Sequence, residues 1–211
     1  MTSRYRSPRR EDAAAATRAA ILSHARELFL KHGYGATTVP EIARAARVAP
    51  QTVYASAGGK ADILSELIGQ AAEDSGARET LAAARRATGL AEAMRILARG
   101  TRAGNESHQD AIEIMYAAMP VHDDAHALWE QGTSLYREVL DGIAAHLSGT
   151  GLLSPDLDPA RAADMLWFCF GPASWRTLTR ECHWTWDEAE RWLASQAEKM
   201  LAPPAAIPPG P

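Results

Sequence analysis

The stretch Thr37–Lys60, TTVPEIARAARVAPQTVYASAGGK, constrains the fold more than any other part of the chain. Thr38-Val39-Pro40-Glu41 fits a capping box, in which a Ser or Thr and the Glu three residues later satisfy each other's end of a new helix. Pro40 falls in the first turn, where its missing N–H costs nothing. The helix so begun carries Ile42 and Ala46. Val48 follows a turn, Pro50 opens a second helix that ends near Ala55, and Gly58-Gly59 breaks the chain. Lys60 then starts a longer helix with Ile63, Leu64, Leu67 and Ile68 on one face. Helices this short are not stable alone in water, so they must lock onto each other and onto a neighbour.

Two short helices joined by a tight turn are a device for placing the second in the major groove of DNA while the first braces it across the backbone. Ile42, Ala43, Ala46, Val48 and Val53 supply the apolar lock. Gln51 and Thr52 stand near the start of the second helix, where base edges are reached. Gln pairs bidentately with adenine, and Thr offers a methyl to thymine or a hydroxyl to an acceptor. Tyr54 and Lys60 suit phosphate, as do Thr37 and Thr38 at a helix N-terminus with its free N–H groups.

The segment from about Arg18 to Leu64 resembles the N-terminal domain of the TetR family of repressors. Ile21-Leu22, Glu27-Leu28-Phe29, Gly33-Tyr34, Thr37-Thr38-Val39, Ile42-Ala43, Thr52-Val53-Tyr54 and Lys60 carry the likeness at fixed spacing. Three positions depart from the pattern. Arg47 stands where the family often has Gly, and a left-handed backbone there costs a non-Gly residue roughly 1 kcal/mol; an Arg at that place offsets the cost by reaching a phosphate, or is simply solvated. Ala49 stands where a Ser often caps the second helix, forgoing about 1 kcal/mol. Ala57 replaces a frequent aromatic and predicts looser packing behind the second helix.

The rest of the chain predicts an all-α protein: β-branched residues are sparse, Ala is abundant, and apolar residues recur at helical spacing. A first helix is expected over Ala13–His32 with Gly33 as its C-terminal cap, and later helices over about 78–87, 90–103, 107–119, 124–148, 159–170, 173–180 and 187–201. Asn105 reads as one of the breaks, and Asp187 as the cap of the last helix. The 211 residues divide into a mobile basic arm (1–12), a helix-turn-helix domain (13–60), a helical body (61–202) and a disordered Pro-rich tail (203–211). Net charge is −4, but residues 1–60 hold +6 and the remainder −10, so only the head is suited to a polyanion. Arg4, Arg6, Arg9 and Arg10 either enter a minor groove beside the site or form a solvated tail.

What the resemblance implies for the body is a ligand-binding and dimerisation domain. The segment holding Trp167, Trp175, Leu178, Trp184 and Trp192 looks like the last two long helices of family members, which pair with their copies; Trp175, Leu178, Trp184 and Trp192 are the expected homodimer interface, with Trp167 equally suited to a core. Met94, Leu97, Ile112, Met115, Tyr116, Met119, Trp129 and Phe168 are bulky residues of the middle helices. As a set they predict a pocket for a small apolar or aromatic effector that releases the protein from a palindromic operator in double-stranded DNA.

Other chemistries find less support. No apolar run approaches the roughly 18 residues a membrane span needs, and the basic N-terminus is not a secretory signal, so a cytoplasmic protein is expected. Cys169 and Cys182 form no disulfide framework; with His183 they are a candidate metal or redox cluster only if the fold joins them. His122 and His126, at i and i+4, supply two ligands and do not complete a zinc site. There is no GxSxG, Walker loop or GxGxxG, and no catalytic residue or cofactor is expected. The competing reading is a helical small-molecule- or metal-binding protein, or an enzyme, with a purely structural N-terminal helix pair.

Overall fold

The structure, a computed structural model, describes residues 8–73, 76–123 and 125–203, with the backbone alone for Pro8 and Arg10. The described residues form helices joined by short connections: α1 (Pro8–His32), α2 (Val39–Ala45), α3 (Pro50–Ala57), α4 (Lys60–Glu73), α5 (Ala77–Ala84), α6 (Leu90–Ser107), α7 (Gln109–Ala118), α8 (Ala125–Gly149), α9 (Pro159–Phe170), α10 (Pro172–Arg176) and α11 (Trp186–Leu201). None is long and apolar enough to cross a membrane.

Several boundaries differ from expectation. α1 begins at Pro8, so residues 8–12 of the expected arm are helical; Arg9 is exposed, and Arg4 and Arg6 lie outside the described residues, as do 204–211 of the tail. α6 runs on to Ser107 and takes in Asn105, which is buried instead of breaking the chain. α10 passes without a break into a π-helical turn, Thr177–Glu181, with Cys182 N–H bonded to the Thr177 carbonyl at 2.9 Å. Asp187 does not cap α11. Thr185 does, accepting from Glu188 N–H at 3.2 Å while the Glu188 carboxylate takes Thr185 N–H at 2.8 Å, a second capping box beside a residue that reads more obviously as a cap.

The chain forms two compact units, and neither is continuous in sequence. One comprises the described residues up to Ala71 together with Gln109–Gly132; the other comprises Ala72–His108 and residues from Thr133 on. The cut expected at 60/61 is displaced because Ile63, Leu64, Leu67 and Ile68 of α4 are buried in the same cluster as Ile21, Ala25 and Phe29 of α1. That cluster also takes Ala111, Ile114, Met115 and Ala118 from α7, which returns after a gap of more than thirty residues.

In the second unit α6 and α11 bury small and branched residues in one shared cluster: Ala93, Met94, Leu97 and Ala98 from α6, Ala189, Leu193, Ala194 and Ala197 from α11. Small side chains let helix backbones approach closely. Arg102 of α6 clips the pair on its outer side, reaching Asp187 and, at 2.9 Å, Glu190 of α11, as well as Glu106 at 3.0 Å.

Candidate nucleic-acid interface

The turn between α2 and α3 is built by the backbone. Ala46 ends α2, and Arg47 takes the left-handed conformation with φ 56°. Val48 N–H then returns to the Ala43 carbonyl at 2.9 Å and Arg47 N–H to the Arg44 carbonyl at 3.2 Å. These two bonds are a Schellman closure, which satisfies carbonyls the helix end would otherwise leave bare. The sequence expectation of a left-handed residue at Arg47 is met. α3 starts from Ala49, which offers no side-chain cap, with Pro50 in its first turn. It runs two residues past the expected end, to Ala57.

Val53 and Ala57 are the buried face of α3. Burial of a Val side chain contributes about 1.5–3 kcal/mol, so these positions fix which face turns outward. That outer face carries Gln51, exposed, and Tyr54, 59% exposed, with Thr52 half-buried beside them. The helix has no acidic or basic residue in its first or last turn. Positive charge comes from the flanks: Arg44 and Arg47 are both exposed, and the Arg47 guanidinium has no hydrogen bond or ion pair among the described residues.

A clamp that the sequence reading missed steadies the far end of α3. Arg18 of α1 donates to the Ser56 carbonyl and pairs with both carboxylate oxygens of Glu66 on α4, one of them at 2.9 Å. Nothing in the local pattern marks Arg18 for this, since its partners lie 38 and 48 residues away.

Three of the expected DNA contacts are engaged within the protein. Thr37 is only 2% exposed, and its hydroxyl donates to the Gly33 carbonyl at 2.9 Å, which pins the α1–α2 turn. Thr38 is exposed, but its N–H and hydroxyl both donate to Glu41 at 2.8 Å, so the donors expected to meet phosphate are engaged by the capping box itself. Glu41 is held below the usual carboxylate range by the Thr38 hydroxyl and then by its N–H. It places a negative charge where phosphate was expected. Lys60 turns back onto the α1–α2 turn: its ammonium donates to the Tyr34 carbonyl at 2.9 Å and lies 4.3 Å from the Tyr34 ring centroid. The Tyr34 ring is in turn stacked on His122, centroids 5.3 Å apart and planes 6° from parallel.

The expected effector residues divide between the units. Met94 and Leu97 are fully buried in the cluster of the second; Ile112, Met115, Tyr116, Met119 and Trp129 belong to the first, where Tyr116 meets Trp129 edge to face at 5.5 Å. Phe168 turns outward. It is 70% exposed, because Leu166, Cys169 and Phe170 take the inward face of α9. A cleft of about 360 Å³ between α6 and α11 is lined by Arg95, Arg99, Arg191 and Glu198 over small residues, and by none of the expected set.

The expected dimer residues also separate. Trp175 is core, 1% exposed, with its indole N–H on the Phe170 carbonyl at 3.1 Å; Leu178 packs partly buried against the same cluster. Trp184 and Trp192 meet edge to face at 5.6 Å on the surface, Trp192 being 43% exposed. Phe168 and Met200, not anticipated there, are exposed on α9 and α11. Among the described residues no group of three or more His, Cys, Asp and Glu is placed to hold a metal ion. Cys169 is buried beside Met200, and Cys182 is exposed.

Residues 21–67 match the family described as bacterial regulatory proteins, tetR family. No curated protein sequence matches the chain. Solved structures share its fold at low identity. The regulator PfmR from Thermus thermophilus is 20% identical, with a TM-score of 0.66 over 89% of this chain and 96% of that one. FadR from Bacillus subtilis, solved with stearoyl-CoA, is 18% identical, with a TM-score of 0.68 over 90% and 98%. SmeT, solved with triclosan, is 17% identical, with a TM-score of 0.72 over 93% and 96%. Residues 21–67 thus carry the helix-turn-helix of the bacterial regulatory proteins of the tetR family, set in an all-helical fold that solved regulators share.

Proposed function

We infer that this regulator is a homodimeric repressor whose two α3 helices read a palindromic operator, and that a small, largely apolar effector releases it. The observation that carries the reading is the polarity of α3. Val53 and Ala57 are buried behind it, while Gln51 and Tyr54 face outward beside two exposed arginines, Arg44 and Arg47. A helix whose outer face is polar, uncharged and flanked by cations suits base edges within a cage of phosphates. The DNA-facing set is therefore Arg47, Gln51, Thr52 and Tyr54, with Arg44 added. Thr37, Thr38 and Lys60 position that set instead of contacting DNA.

One recognition helix offers few base contacts, and two on a palindrome multiply specificity. Phe168, Trp192 and Met200 supply apolar surface of the kind a second copy covers. For the effector, the solved complexes of FadR with stearoyl-CoA and SmeT with triclosan are precedents for this fold holding apolar molecules. Buried Met94, Phe170 and Trp175 of the second unit suit the same class.

The test is fluorescence anisotropy of the DNA upstream of the protein's own gene, over a range of salt, together with light scattering for mass. The expected result is a dimer that binds one fragment with a steep salt dependence and loses it on Tyr54→Ala with helicity intact. A monomer, or binding indifferent to sequence, overturns the reading.

A further inference from the structure

The apolar cluster of the second unit contains polar groups that the repressor reading does not use. Thr101 and Asn105 stand one turn apart on α6, 6% and 5% exposed. The second N–H of the Asn105 amide faces the phenol oxygen of Tyr136 on α8, and burial, the larger influence, raises that phenol well above its ordinary pKa. The Tyr136 hydroxyl donates to the Phe170 carbonyl at the end of α9, where the Trp175 indole also donates.

Counting donors identifies one acceptor with nothing to accept. The Asn105 amide must point its nitrogen at the Thr101 carbonyl, 2.7 Å away, because two oxygens would repel there. Its Oδ1 is then fixed in place, buried, and without a hydrogen-bond partner. The neighbouring hydroxyls cannot supply one. Thr101 gives its proton to the Leu97 carbonyl at 2.8 Å, and Tyr136 gives its own to Phe170. An orphaned acceptor in a low-dielectric core destabilises the empty protein, and such a group calls for a functional explanation.

We propose that Asn105 Oδ1 is the recognition point for the effector, and that the effector is an apolar molecule bearing a neutral hydrogen-bond donor, a hydroxyl or N–H. This deepens the effector reading above and rests on it. The amide oxygen rejects acceptor-only heads such as carboxylates, esters and ethers, which would set oxygen against oxygen. The occupant's donor joins the chain Asn105–Tyr136–Phe170, so binding acts directly on the junction of α9 and α10.

A matched pair of probes decides it: 4-hexylphenol and 4-hexylanisole, which differ by one donor. Both are titrated by calorimetry into the full chain and into Asn105→Leu and Asn105→Ala. The phenol is expected to bind wild type about tenfold tighter than the ether, and the ratio to fall to about one in both variants. The Asn105→Leu protein is expected to melt no lower than wild type, since a group selected for recognition detracts from stability. Absence of binding by either probe, equal affinities in wild type, or a ratio that survives both substitutions overturns the proposal; so does a large drop in melting temperature in both variants, which makes Asn105 structural. Operator binding by unliganded wild type, measured alongside, separates the two failures. Binding with no donor preference removes only this inference, whereas no DNA binding removes the repressor reading.

Discussion

Replacing Arg47 with Gly separates stability from DNA contact at one residue. The left-handed backbone at φ 56° costs a side-chain-bearing residue about 1–2 kcal/mol. Gly removes that cost but has more freedom to lose on folding, about 0.5–1 kcal/mol. The guanidinium makes no contact that the change would forfeit, and both Schellman bonds are made by main-chain atoms that Gly also has. The expected net effect is a gain of about 0–1.5 kcal/mol in urea unfolding. DNA affinity should move the other way. If each Arg47 neutralises a phosphate, the slope of log affinity against log salt falls by about 1 per copy, or about 2 for a dimer. Arg47→Lys is the control: it keeps the strain and the charge, and so should leave both quantities near wild type. Loss of more than about 0.5 kcal/mol in Arg47→Gly refutes the strain argument, since nothing else at this residue is large enough to reverse the sign. An unchanged salt slope refutes the phosphate contact.

Ala49→Ser restores a side-chain cap to α3, which now has none, and should stabilise the protein by about 0.5–2 kcal/mol in urea melts; no gain means Pro50 already suffices. Glu41, Glu92 and Glu188 are held below the usual carboxylate range, Glu41 chiefly by the Thr38 hydroxyl, Glu92 by Thr88 N–H and Glu188 by Thr185 N–H. A lowered folded-state pKa means that their contribution is complete at neutral pH and is lost as pH falls through the lowered values. Helicity followed by circular dichroism should therefore fall below about pH 4, and replacing all three by Ala should flatten that limb; an unchanged acid limb sinks the assignment. Burial pushes the Cys169 thiol up to about 11, whereas Cys182 is exposed. A thiol reagent at neutral pH should label one cysteine quickly in the native chain and both in denaturant, with Cys182→Ser abolishing the fast phase; two fast thiols contradict the burial.

What was legible in the sequence was local. Thr38 and Glu41 are three residues apart, and their mutual bonding follows from spacing alone. The left-handed turn at Arg47 was readable only through the family resemblance, which puts a frequent Gly at that position. The helical spacing likewise set the bounds of α9, Pro159–Phe170. Facing was harder. Phe168 and Trp175 are both large aromatics, and bulk does not say which is turned inward; a step of two residues along α9 separates buried Leu166 from exposed Phe168. Asn105 read as a break because Asn competes with the backbone for hydrogen bonds, yet inside α6 its amide bonds the preceding turn. The tether on Lys60 was illegible for a similar reason: a cation beside a short helix looks free until the carbonyls that hold it, 25 and 26 residues away, are known.

Long-range contacts of this kind also have a functional consequence. The first unit is closed by a segment that leaves the sequence at Ala71 and returns at Gln109, and the loop beyond α7 reaches the α1–α2 turn. Val121 lies against Gly35, where an added Cβ would sit 3.4 Å from its methyl, and His122 stacks on Tyr34. Tyr34 carries the Lys60 ammonium on its ring and carbonyl, Lys60 begins α4, and Glu66 of α4 shares with Arg18 the clamp on the Ser56 carbonyl of α3. An unbroken series of contacts thus runs from residues 121–122 to the end of the recognition helix, entirely within one unit. The stacked ring at His122 and the charge-assisted bonds of Lys60 and Arg18 depend steeply on geometry. A shift of His122 therefore bears on the seating of α3 without moving any residue that faces DNA. In a regulator the groups that set operator affinity need not touch the operator, and Tyr34, Lys60 and Arg18 are the residues through which α3 is held.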